Sequence, residues 1–321
     1  MPDLRHVGAA GPGGDEVEVL KLTSSLRTRL NGVIAFPVTP FGRDLSLDLP
    51  GLRRNLRSLL DHPVVAVVAA GGTGEMYSLT PAEHVEVVRA TVEEVGGRVP
   101  VIAGVGFNRS LAVEMACSAA RCGADAILGL PPYYPNADED GLLDYYAALG
   151  EATGLGLLVY SRDWVNPGPA WVERLAARVP SLVAWKDGQG DIRRYQQIIH
   201  RVGERLHWIG GAGDDCVPGY YAIGLRAFTS SIATVAPRLS LRLHETAAAG
   251  DSTGLQKLMD EYVIPLYALR ARRKGYEVTV MKEMMNLAGL AAGPVRPPLP
   301  SLRPGELDEV RAMVERWKPL L

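Results

Sequence analysis

The chain has 321 residues, 47% of them hydrophobic and 22% charged, with a mean hydropathy of +0.04. That is enough apolar length for one large domain with an appendage, or for two ordinary ones. The 34 basic and 36 acidic residues leave a formal charge of -2, so electrostatics gives no reason to expect a nucleic acid or an anionic membrane as partner.

Residues 1–14 are rich in glycine and proline and are expected to be disordered, and residues 15–30 to form a short helix. The start of the chain lacks the basic and then apolar pattern of a secretory leader, and no apolar run approaches the ~18 residues of a membrane span. Cys117, Cys122 and Cys216 show neither Cys-x-x-Cys spacing nor a neighbouring histidine cluster, so neither a disulfide framework nor a zinc site is expected. A reduced, cytoplasmic protein is the expectation.

From Val33 onward, strand-like and helix-like segments alternate. Apolar runs at 33–36, 64–69, 101–103, 126–130, 155–160, 182–185, 206–209 and 227–229 read as short buried strands. Between and after them, apolar residues at three and four spacing predict helices over 52–60, 81–95, 110–121, 141–152, 170–178, 192–202, 214–223 and 239–249. Eight such units over residues 31–250 match a (β/α)8 TIM barrel. The competing doubly wound open sheet usually carries a Gly-x-Gly-x-x-Gly turn after its first strand, and none follows Phe36. Past residue 250 the alternation stops. Helices are expected at 253–273, 278–290 and 305–317, making residues 251–321 a carboxyl-terminal helical cap, with the proline-rich 293–300 as a connector.

A barrel of this kind keeps its chemistry at the carboxyl ends of its strands. There the sequence places Thr39 after the first strand, Gly71-Gly72-Thr73-Gly74-Glu75 after the second and Tyr133-Tyr134 after the fourth. Tyr160-Ser161-Arg162-Asp163 ends the fifth, Lys186 the sixth and Ser230-Ser231 the eighth. Lys186 is the most informative of these, because an amine half in the core loses its proton more easily and can attack a carbonyl carbon. The alternative reading pairs it structurally with Asp187 or Asp191. Glycines at 72 and 74 let backbone amides approach a carboxylate or phosphate, although glycine-rich turns also arise for steric reasons alone. Tyr160 either fills the barrel mouth or moves protons beside Lys186. Arg162 either pairs with Asp163 or clamps a carboxylate.

The ordered motifs VTPF at 38–41, GGTGE at 71–75, Tyr160 of VYSRD and Lys186 of AWKDGQGD resemble the pyruvate-lyase superfamily of class I aldolase-like barrels, which includes dihydrodipicolinate synthase and N-acetylneuraminate lyase. The match spans about residues 30–300. Within it, Arg162-Asp163, KDGxGD at 186–191, Lys274-Gly275-Tyr276 and GPVRPPL at 293–299 are most similar to the 5-dehydro-4-deoxyglucarate dehydratase branch. The synthase pattern differs, having a second threonine where this chain has Gly72 and an arginine where it has Val165. Ser161 and the Tyr133-Tyr134 pair depart from the dehydratase pattern.

The resemblance implies a Schiff base between Lys186 and a 2-oxo acid, proton transfer by Tyr160, and a carboxylate held by Thr73 with the amides of Gly72–Gly74. Thr39, Arg162, Ser231 and Tyr134 are further candidates for substrate contact. It implies dehydration and decarboxylation of a keto-deoxy sugar diacid without metal or organic cofactor, in a homotetramer in which Tyr134 reaches a neighbouring site. The rival readings are a pyruvate-dependent aldolase or synthase of the same superfamily and a non-catalytic sugar-acid-binding barrel.

Overall fold

The computed structural model describes residues 25–321. The segment expected to be disordered and most of the short helix over 15–30 lie outside the described residues, and residues 25–29 are helical.

Eight parallel strands close into a barrel in chain order: β1 Gly32–Ala35, β2 Ala66–Ala69, β3 Val101–Phe107, β4 Ala126–Pro132, β5 Gly156–Ser161, β6 Leu182–Asp187, β7 His207–Gly210 and β8 Ala227–Ser230. Around them run α1 Leu49–Leu59, α2 Pro81–Val95, α3 Arg109–Arg121, α4 Glu139–Ala152, α5 Pro169–Arg178, α6 Ile192–Val202, α7 Val217–Ala222 and α8 Pro237–Ala248. The helix starts follow local chemistry. At α2, the Thr80 side chain accepts from the Glu83 amide while the Glu83 carboxylate accepts from the Thr80 amide, and Pro81 occupies the first turn, where no amide is needed. No helix of the described residues is long and apolar enough to cross a membrane.

Two predicted helices are interrupted, each at a proline that lacks the amide a continuous helix requires. The segment 214–223 opens as a 3-10 turn, Asp214–Cys216, before α7 with Pro218 in its first turn. The segment 253–273 divides into α9 Ser252–Leu258, a π-helical turn Met259–Val263, and α10 Ile264–Arg270 with Pro265 at its start. Two further helices, α11 Tyr276–Leu287 and α12 Pro304–Trp317, complete the carboxyl-terminal region.

Every barrel strand is covered on both faces, which is why each reads as an apolar run and not as an alternation. Leu158, Tyr160, Val183, Ala184 and Ile209 belong to the interior cluster, and Leu26 and Leu30 from the amino-terminal turn pack into it as well. Trp185 faces outward and packs edge-on against Trp171 of α5, with ring centroids 6.2 Å apart. One irregularity matters for the site. Between Leu157↔Leu182 and Leu158↔Ala184 the β5/β6 register shifts by one residue, so Val183 and Ala184 both point inward and Tyr160 comes to lie opposite Lys186. Without that shift, Tyr160 would face Trp185.

Candidate active site

The carboxyl ends of the strands open into a cavity of about 750 Å³, walled in part by α10 and the start of α11. Lys186 lies at its floor. The side chain is 2% exposed, its Nζ donates to the Gly211 carbonyl at 3.0 Å, and Nζ sits 3.2 Å from the centre of the Tyr160 ring. Burial drives the amine well below its ordinary acidity range, the nearby Arg162 charge adds to this, and Asp187 opposes it. Asp187 is an indifferent partner. Its Oδ2 accepts from Tyr220 at 2.7 Å and from the Gly190 amide at 3.0 Å, so its charge is spent on fixing the loop after β6.

Tyr160 donates to the same Gly211 carbonyl at 3.3 Å. Burial pushes its phenol upward and the Arg162 charge pulls it back, so the group is protonated near neutral pH. Both close approaches depend on glycines. A Cβ on Gly211 would stand 2.5 Å from Lys186 Nζ, and one on Gly188 would stand 2.4 Å from the Tyr160 ring.

Opposite Lys186, the turn after β2 folds back on itself through Glu75 N to Gly72 O at 3.1 Å and Met76 N to Gly71 O at 3.3 Å. The amides of Gly72, Thr73 and Gly74 donate to no protein acceptor among the described residues, and Gly72 and Thr73 line the cavity. Such a row of free amides suits a carboxylate. Glu75, with φ 53° and no exposure, anchors this turn from below: its Oε1 pairs with Lys282 of α11 at 2.5 Å and its Oε2 accepts from the Arg296 amide at 3.0 Å. Arg296 in turn holds Glu83 at 2.6 Å and stands over the Phe41 ring. The carboxyl-terminal region is thereby tied to the turn after β2.

The remaining candidates divide. Arg162 lines the cavity beside Gly72 while pairing with Asp163 at 3.3 Å, and Ser231 lines the wall after β8. Thr39 lies behind the wall, its hydroxyl donating to the Gly74 carbonyl at 2.6 Å, which makes it a brace of the turn. Gly74 packs against Ala70 and Pro37 and does not line the cavity. Tyr134 is 71% exposed and also stands outside it. Lining residues that the sequence did not announce come chiefly from the carboxyl-terminal helices: Tyr267, Arg270 and Glu277. Only the position of Glu277 next to the Lys274-Gly275-Tyr276 motif gave any hint.

The model of the dihydrodipicolinate synthetase family matches residues 29–317. A protein of Ralstonia nicotianae named "Probable 5-dehydro-4-deoxyglucarate dehydratase" is 41% identical over 287 residues, 89% of this chain and 92% of that relative. A protein of the same name from Methylobacterium radiotolerans is 40% identical over 286 residues, 88% of this chain and 94% of the relative. Among solved structures, dihydrodipicolinate synthase from Oceanobacillus iheyensis superposes with a TM-score of 0.88 at 29% identity, covering 92% of this chain and 99% of its own. The Bacillus clausii synthase gives 0.86 at 28% identity, covering 91% and 99%.

Proposed function

The chain belongs to the dihydrodipicolinate synthetase family, and from that premise we propose that it is a lyase converting 5-dehydro-4-deoxyglucarate to 2,5-dioxopentanoate, CO2 and water through a Schiff base on Lys186. The observation that carries this reading is the buried Lys186 amine on the floor of the cavity, sharing one carbonyl with Tyr160. Relatives bearing the dehydratase name at about 40% identity support the choice of substrate.

The substrate's keto-acid carboxylate binds the free amides of Gly72 and Thr73, which brings the ketone to Lys186. The neutral amine attacks, and Tyr160, protonated at rest, gives its proton to the departing carbinolamine hydroxyl. The phenolate so formed is stabilised by the Arg162 charge and is the base for the methylene beside the iminium carbon. Loss of that proton gives an enamine, which expels the next hydroxyl as water when Tyr160 returns the proton. The product of this step is a conjugated iminium. It accepts the electron pair of the bond to the distal carboxylate, CO2 departs, and reprotonation with imine hydrolysis frees the aldehyde and the lysine.

Borohydride reduction in the presence of substrate, followed by peptide mass spectrometry, tests the reading. An adduct is expected on Lys186 and none in Lys186→Ala; equal adduct in the variant refutes it. Tyr160→Phe is expected to lose roughly 100- to 10,000-fold in turnover with imine formation partly retained. Release of pyruvate in place of CO2 would assign the chain to aldol chemistry.

A further inference from the structure

Positive charge around the cavity is unevenly committed. On the β5 side, Arg162 already has the Asp163 carboxylate at 3.3 Å. On the β7 and β8 side, Arg270 of α10 makes no ion pair among the described residues. Its Nη1 donates to the neutral Ser231 hydroxyl at 3.1 Å, whereas Nε is buried with no acceptor and Nη2 has none among the described residues. Nε is enclosed by protein, so Nη2 is the donor left for a ligand in the cavity that Arg270 lines, and a charge-assisted hydrogen bond from it suits a carboxylate.

This guanidinium is also held in place. It stacks on the Tyr267 ring at 4.5 Å, and the Tyr267 hydroxyl donates to Asp214 Oδ2 at 3.0 Å while accepting from the Asp214 amide at 2.6 Å. The other Asp214 oxygen accepts from Ser230. Asp214 thus takes its hydrogen bonds from hydroxyls and forms no ion pair with Arg270, although the Arg270 charge favours the ionised forms of both Asp214 and Asp215.

We propose that Arg270, with Ser231 beside it, binds the distal carboxylate of the substrate and makes the site selective for 2-oxo diacids over 2-oxo monoacids of the same length. The inference rests on Lys186 being the imine-forming lysine. Two carboxylates on one substrate then meet two anion sites in the cavity that holds Lys186: the amides after β2 and the guanidinium at the end of α10. Because the distal carboxylate leaves as CO2, its contact with Arg270 is strongest in the bound substrate and fades toward the decarboxylation transition state. Arg270 is accordingly a specificity residue whose loss raises KM more than it lowers kcat.

Borohydride trapping on Lys186 with 2-oxoadipate and with 2-oxohexanoate tests this, since the two acids differ only in a terminal carboxylate or methyl. The wild-type protein is expected to half-saturate at a concentration of 2-oxoadipate about 10- to 100-fold lower than of 2-oxohexanoate. Arg270→Gln is expected to erase that preference by weakening 2-oxoadipate trapping about 10- to 100-fold more than 2-oxohexanoate trapping, and Arg270→Lys to keep part of it. A wild-type preference retained in Arg270→Gln, or no preference in the wild-type protein, overturns the proposal while leaving the imine chemistry standing. Equal weakening for both acids assigns Arg270 to the fold of the barrel mouth and also overturns it. No adduct from either acid in the wild-type protein would overturn the Lys186 reading, and this inference with it.

Discussion

Removing Lys282 takes the partner cation from a buried carboxylate beneath the site, and with it the donor that the Pro294 carbonyl has at 2.9 Å. Lys282 is 1% exposed and Glu75 not at all, with Nζ and Oε1 2.5 Å apart. At an effective dielectric near 20, that separation corresponds to an attraction of about 7 kcal/mol. Desolvation of each ion costs several kcal/mol in the opposite direction. For the ammonium, burial outweighs the Glu75 charge, since Lys282 falls from the ordinary 10.5 to about 8. That difference is a net cost of about 3 kcal/mol to the charged form. The intact pair thus stabilises the fold little, but either half alone is expensive. Lys282→Met is expected to destabilise by about 3–5 kcal/mol, because the Glu75 carboxylate is left buried without its cation. The double variant Glu75→Gln/Lys282→Met should recover most of that loss. Urea unfolding of the wild-type protein, both single variants and the double gives the cycle. Since Glu75 holds the turn that carries Thr73, the double variant should fold yet turn over substrate more slowly. A cost below about 1 kcal/mol for Lys282→Met, or a strictly additive double variant, would refute the reasoning.

Gly211→Ala would drive a methyl to 2.5 Å from Lys186 Nζ; imine trapping should fall about 100-fold with the circular dichroism spectrum unchanged, and trapping at the wild-type rate would refute the close approach. Asp214 has its carboxyl raised from 3.8 to about 6 by burial, so the folded state binds more protons than the unfolded state between those values. Stability from this group is therefore present below pH 3.8 and is lost as pH rises through about 6, leaving a cost of about 3 kcal/mol above it. In Asp214→Asn, the difference in urea stability from the wild-type protein should change across that window and be flat above it; a difference flat throughout would show that Asp214 titrates normally.

Much of the barrel was legible because its signals are local. Each strand is buried on both faces and reads as an apolar run, and α2 is bounded by Pro81 and Val95 as its capping box and following Gly96 dictate. Lys186 stood out for a related reason, as a charge at the end of such a run. The interrupted helices were misjudged as continuous because apolar periodicity persists through Pro218 and Pro265, although the missing amides break the hydrogen-bond ladder there. Thr39 and Gly74 follow strands as site residues do, yet they face the wall and not the cavity, a direction that strand-end position does not specify.

By itself, then, the sequence determined the alternation of elements, the barrel end at which the cavity opens and the lysine on its floor, since period, capping and burial are written residue by residue. Only the tertiary structure decided what surrounds that lysine. The register shift that sets Tyr160 opposite Lys186, the Gly211 carbonyl that joins them, and the arrival of Arg270 and Lys282 from the carboxyl-terminal helices are contacts between segments far apart in the chain. Such contacts leave no local pattern, because their free energy is gained only after the barrel has closed and the helices have docked upon it.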